Sequence, residues 1–255
     1  MTEYTGWDFT EEDYDYAMSL PSEVPFESSD INEKPSILLE KPPSTWLKYE
    51  DQWYHPSCVG NALAAVLEVI YFYFTQGEVI QLSRWFAYIQ SQKYSSGRLG
   101  EGQGAYISGA VKAGQKIGVC LESTVPYPRN YHRRFPPKSI DEAAKYRIKS
   151  EMRVSDYDSL RLLHEGATGA AIIGRSWGRG AHALAVIELI PDKKDRLGRP
   201  YVREFNSHKG NEIIDHTPDA YDRILKARGT VCVWLSDMPN IKPREYDYTK
   251  EGLLG

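Results

Sequence analysis

The sequence predicts an α+β protein with two lobes, one helical and one of largely antiparallel sheet. Three observations predict it. Long helical segments fill the first half, beginning with an apolar one after Ser57. Short segments rich in Val, Ile and Ala, with turn signals between them, fill the second half. The texture changes after a passage marked by Pro126, Pro128, Pro136 and Pro137, which is read as non-helical.

The elements follow in order. Residues 1–41 are acidic and rich in Tyr, Pro and Ser, with no sustained period. They read as an extended or partly ordered arm. Two roles are open for it: it packs across the cleft or along the second lobe and limits access, or it is a tail without a regulatory role. A globular pattern starts near Pro42 and is expected to run to Asp237, with the helical lobe at about 52–140, the sheet lobe at about 141–237 and a tail over 238–255. Ser57 is placed to cap a helix whose first turn holds Cys58. That helix is apolar nearly all round, which implies burial between two layers. A second helix is expected over Leu82–Tyr94 and a third over Tyr106–Gln115, stopping near Gly118, with Gly100–Gly104 as a loop. A strand over 146–154 and a helix over 156–166 open the second half. Strands follow at Gly169–Gly174, Ala183–Ile190, Tyr201–Phe205 and Thr230–Leu235, with a charged hairpin loop at Asp192–Gly198.

Composition narrows the function. The 255 residues are 41% hydrophobic and 26% charged, enough to bury a sizeable core. A formal net charge of -4 points to neither nucleic acid nor an anionic membrane surface. No basic stretch followed by an apolar one opens the chain, so no signal peptide is expected. The longest apolar run, about Ala62–Phe74, is short for a membrane span and reads as a core helix. Three widely spaced cysteines, Cys58, Cys120 and Cys232, give no zinc spacing and no disulfide framework. No metal or cofactor is expected, and a reducing, cytoplasmic setting is. Cys120 and Cys232 are assigned to the core as small hydrophobes.

Cys58 calls for a chemical reading, because a helix N-terminus favours an anion and so eases ionisation of a thiol. A nucleophilic thiolate needs an imidazole beside it, to hold the ion pair and later to protonate a leaving amine. His182 opens the strand segment HALAVIELI, at the mouth of the sheet. Read alone, it is equally a satisfied core or edge histidine. Asn206 ends the following strand, and a hairpin between the two strands would bring it to His182, where an amide oxygen can fix ring orientation and tautomer. A simple turn residue is the alternative. Gln52, six residues before Cys58, could aim its amide at a developing oxyanion together with the Cys58 backbone N–H.

At these residues the chain resembles the papain-like cysteine peptidase family. Gln52-Trp-Tyr-His-Pro-Ser57-Cys58 before an apolar helix is similar to that family's Gln-x-x-x-x-Ser-Cys segment. GAHALAVIEL (180–189) is similar to its His strand, and EFNSHKGNE (204–212) to its Asn-Ser-Trp-Gly segment, in the family's order. Residues 82–128, 146–166 and 211–225 resemble its bacterial and archaeal branch, so the likeness covers roughly 42–237. It implies a helical lobe with a central Cys-bearing helix, a β-barrel-like second lobe, and hydrolysis of peptides through an acyl-enzyme. Cys58 would be the nucleophile, His182 the acid and base, Asn206 its orienter and Gln52 an oxyanion donor. Gln103 and Gly104 would line the groove for an extended peptide, with Ala181 and Ser57 as further substrate contacts. Three departures stand out: Pro56 where the family has Gly, Val59 where it commonly has Trp, and His208 in place of its Trp. His208 either leaves Asn206 more solvated or stacks where the Trp would. Three other readings stay open: the same fold kept as a peptide-binding or interaction module, acyl transfer or amide hydrolysis on the same scaffold, and a structural or assembly protein of a larger particle.

Overall fold

The computed structural model describes residues 11–22, 41–95, 99–166, 168–177 and 180–241. Seven α-helices lie within them: α1 (Glu11–Ser19), α2 (Cys58–Thr75), α3 (Arg84–Lys93), α4 (Ile107–Lys116), α5 (Lys138–Ala143), α6 (Tyr157–Gly166) and α7 (Pro218–Lys226). Six strands accompany them: β1 (Ser150–Arg153), β2 (Gly169–Trp177), β3 (Gly180–Lys194), β4 (Pro200–Phe205), β5 (Ile213–His216) and β6 (Val231–Ser236). They form one antiparallel sheet in the order β1-β6-β2-β3-β4-β5. The α+β class holds. The second lobe is an open sheet with β1 and β5 at its edges, a loose version of the barrel the resemblance implies.

The sheet explains why its strands read as nearly continuous apolar runs. Alternate residues of a strand face opposite sides. Ala170, Ile172, Ala183, Ala185, Ile187, Val231, Val233 and Leu235 join the core that contains α2. Ala171, Ile173, Leu184, Val186, Cys232 and Trp234 join a second core that contains α6 and α7 residues. Each fully buried Val, Leu, Ile or Phe contributes roughly 1.5–3 kcal/mol.

Helix α2 lies between the sheet and α3. At 18 residues it is long and apolar enough for a membrane span, beyond what the Ala62–Phe74 run suggested, but 89% of it is buried inside the protein. Gly60 lets α3 approach: a Cβ there would sit 2.5 Å from the Tyr88 backbone. Glu68 is the one carboxylate in α2. Burial pushes its carboxyl up to about 8, while the Leu82 N–H donates to it at 2.7 Å. The helix ends with Gln76 in the left-handed region (φ 53) and with N–H donation from Gly77 to Phe72 and from Gln76 to Tyr73, the Schellman pattern. Ser83 caps α3 by accepting the Phe86 N–H at 3.0 Å.

Several expectations need correction. The arm contains a helix, α1, whose first turn is acidic (Glu11, Glu12, Asp13) as the helix dipole favours. It docks on α4 and β6. The rest of the arm, 1–10 and 23–40, and the tail beyond 241 lie outside the described residues. The packed body runs past Asp237: Met238 is buried. The proline-marked passage is non-helical as expected, and the short helix α5 begins directly after it, with Pro137 at its N-cap. Tyr146 accordingly falls in a 3-10 turn and the first strand shrinks to Ser150–Arg153. Strand β3 runs on to Lys194, leaving a tight turn at Asp195–Gly198. The segment after Asn206 supplies β5 and α7, to which the sequence reading assigned no element.

Candidate active site

Cys58 is the first residue of α2 and is buried. The turn before it is tight: the Ser57 N–H donates to His55 O at 2.8 Å, spanning Pro56. The central residue of such a three-residue turn needs a φ near that of proline and donates nothing to it, so Pro56 fits where the resemblance led to glycine. Ser57 occupies the N-cap but makes no side-chain cap bond. Its Oγ lies 2.6 Å from the Tyr127 hydroxyl and accepts from Asn61 Nδ2 at 2.9 Å, so the hydroxyl is engaged within the protein.

Gln52 is 1% exposed. Its Oε1 accepts from Ser207 Oγ at 2.5 Å and its Nε2 donates to His55 O at 2.9 Å. Those two bonds fix which end of the amide is which, and use one of the two Nε2 hydrogens. The Gln52 N–H also donates to Ser207 O at 2.9 Å, joining this loop to the segment after β4.

His182 sits on β3 opposite Arg175 of β2. Its Nε2 lies 2.8 Å from Asn206 Oδ1. The Asn206 Nδ2 donates to Asn211 O at 3.0 Å, and its Oδ1 also accepts the His208 N–H at 3.2 Å. With the amide oriented in this way, His182 Nε2 must be the protonated nitrogen of the neutral ring, which leaves Nδ1 as its basic atom. Asn206 is fully buried, and the His208 ring lies against His182, centroids 4.6 Å apart. Of the two outcomes the sequence left open for His208, greater solvation of Asn206 is not found; the ring instead lies against His182 at a tilt of 31°.

The Ala183 N–H, next in chain to His182, points at Cys58 Sγ at 3.4 Å, so α2 and β3 bring Cys58 and the His182 segment together across the lobes. Burial lowers the His182 imidazole to about 4; the Asn206 bond opposes this, while His208 and Arg175 reinforce it. At neutral pH the surroundings therefore favour the uncharged ring over the imidazolium. Burial pushes the Cys120 thiol up to about 12 and that of Cys232 higher still, which leaves both inert.

The loop before α4 is suspended from below. Tyr88 Oη and Gln92 Nε2 donate to Gln103 O at 2.5 and 2.7 Å, and Gln92 Nε2 also reaches Gly100 O at 3.1 Å. The Gln103 side chain is exposed, Gly104 is buried and Ala181 is half-buried at the head of β3. Sequence reasoning passed over Tyr127, Ser207, Gln92 and Asn61, which hold these groups in place. Only Ser207 carried a signal, as the residue next to Asn206 in the strand-end motif. The others act through contacts distant in sequence or, for Asn61, through a helical turn already assigned to the core.

No protein-family profile matches the chain, and no curated protein matches it by sequence. Solved structures do match. Xylellain, a cysteine protease from Xylella fastidiosa, is 21% identical with a TM-score of 0.60, covering 95% of this chain and 98% of its own. A procathepsin B from Trypanosoma congolense is 15% identical with a TM-score of 0.61, covering 89% and 85%. The proform of the ragweed pollen cysteine protease Amb a 11 is 16% identical with a TM-score of 0.63, covering 91% and 76%. The chain has the papain-like peptidase fold.

Proposed function

We propose that this protein is a cysteine peptidase. The observation that carries the proposal is the 2.8 Å contact between His182 Nε2 and Asn206 Oδ1, on a strand whose next amide faces Cys58 Sγ. In this reading His182 Nδ1 takes the thiol proton and Cys58 Sγ attacks a peptide carbonyl. The oxyanion is met by the Cys58 N–H and the second Gln52 Nε2 hydrogen. The tetrahedral species collapses, the C–N bond breaks, and Nδ1 gives its proton to the departing amine. Nδ1 then takes a proton from water, whose oxygen attacks the thioester, and the acid leaves as the thiol re-forms. Asn206 keeps the ring in the tautomer that these transfers use.

An epoxide that alkylates active-site thiols tests this directly. Intact mass should show one adduct on the wild type, none on Cys58→Ala and far slower addition on His182→Ala. A folded wild type that takes up no adduct and cleaves no peptide library would overturn the proposal in favour of a binding module.

A further inference from the structure

Trp53 and Tyr54 stand exposed beside Gln52, 47% and 46% accessible, where large aromatic side chains are normally drawn inward. Trp53 also has φ 51, in the left-handed region that bulky residues avoid. Its N–H donates to Asp51 Oδ1 at 2.8 Å and its ring meets the edge of Tyr127, centroids 5.8 Å apart, so the strained turn is held in place. A glycine or asparagine would adopt that backbone with little strain. An indole kept there, in solvent and against its backbone preference, is accounted for by something that binds it.

Its position says what. Residues 51–53 are tied to 206–208 by the bonds between Gln52 and Ser207, and His208 lies against His182. The departing amine takes its proton from His182, so the chain that it heads lies along this wall. We infer that Trp53, with Tyr54 beside it, forms a subsite for an aromatic or large apolar side chain within the first two residues after the scissile bond. The inference rests on the peptidase reading above. An indole face and an adjoining phenol offer flat apolar area and edge-to-face contacts to such a side chain, and nothing comparable to glycine.

The test uses the full chain and matched peptides that carry Phe or Gly at each of the first two positions of the leaving segment. Wild type should favour Phe at one of them by ~10-fold in kcat/KM, and Trp53→Gly should bring that ratio close to 1. Trp53→Gly should melt at or above the wild-type temperature, because glycine relieves the backbone. Trp53→Asn, which also tolerates the left-handed region, guards against a folding artefact and should lose the preference too. An enzyme whose Cys58 is alkylated but which shows no Phe preference, or keeps it in both variants, overturns the subsite and leaves the peptidase intact. A protein that neither takes up the epoxide nor turns over peptide overturns the peptidase reading, and this inference with it.

Discussion

The imidazole of His208 lies against that of His182, with ring centroids 4.6 Å apart and planes tilted by 31°. His182 and Asn206, joined by a bond of 2.8 Å, are both buried, at 2% and 0% exposed. Burial is also what lowers His182 to about 4.

A pH dependence follows. Between the ordinary value of 6.5 and about 4, the unfolded chain binds a proton at residue 182 that the folded chain does not. The contribution of this group to stability is therefore complete above 6.5 and falls as the pH drops through that window, by up to about 3 kcal/mol. Burial also lowers His55 and His208, which adds loss of the same sign. In His208→Ala the His182 ring gains water and loses a repulsive neighbour, so its proton affinity rises. The acid limb of Cys58 alkylation against pH should move upward in that variant; an unmoved limb would show that His208 does not tune His182.

Asn206 has a larger expected effect. Asn206→Ala leaves the His182 Nε2 and His208 N–H donors without their shared acceptor in a buried site, a cost of about 1–3 kcal/mol. It also frees the ring to turn, and misplacement of this kind lowers rate on the order of 100-fold. Urea titration measures the first quantity and kcat/KM the second. A full-rate variant would mean that the strand and His208 alone hold the ring.

Gln52 separates structure from catalysis. Gln52→Glu keeps the acceptor for Ser207 Oγ but removes both Nε2 donors. Loss of an oxyanion donor costs roughly 100- to 1000-fold in kcat with little change in KM. Gln52→Ala should lose the same rate and in addition loosen the tie to Ser207, lowering stability by about 1 kcal/mol. Comparable kcat for Gln52→Glu and wild type would assign Gln52 to structure alone.

How much of this was legible beforehand depends on the distance over which each residue acts. Cys58, His182 and Asn206 could be singled out because a helix start, a strand start and a strand end place them, but His182 and Asn206 each had an ordinary structural alternative, and only the resemblance chose between the two. Ser57 was misread because its hydroxyl is engaged by Tyr127, 70 residues away in the chain, and by Asn61. The strand after Asn206 was missed because β5 is a short edge strand of four residues with little apolar periodicity; helix α7 was overlooked although Thr217 at its cap and Pro218 at its start mark it in the sequence. Asp13 was illegible for the same physical reason as Tyr127: its partners, Ile107 and Ser108, lie more than 90 residues on.

Asp13 is fully buried and accepts those two N–H groups at 3.1 and 2.9 Å, where α4 begins. The α4 N-cap, Tyr106, makes no side-chain cap bond, so α1 supplies the cap from a distant part of the chain, with a negative charge at the positive end of the helix dipole. Asp13→Ala should therefore cost about 1–2 kcal/mol, and Asp13→Asn, which keeps an acceptor but loses the charge, about half of that. Amide hydrogen exchange at Ile107 and Ser108 should speed up in the same order, ahead of exchange in α2. The Gln103 loop runs directly into α4, so the rate at which peptides are cleaved should follow. If exchange at those two amides is unchanged in Asp13→Ala, α1 contributes packing only, and α4 begins without help from the N-terminal segment.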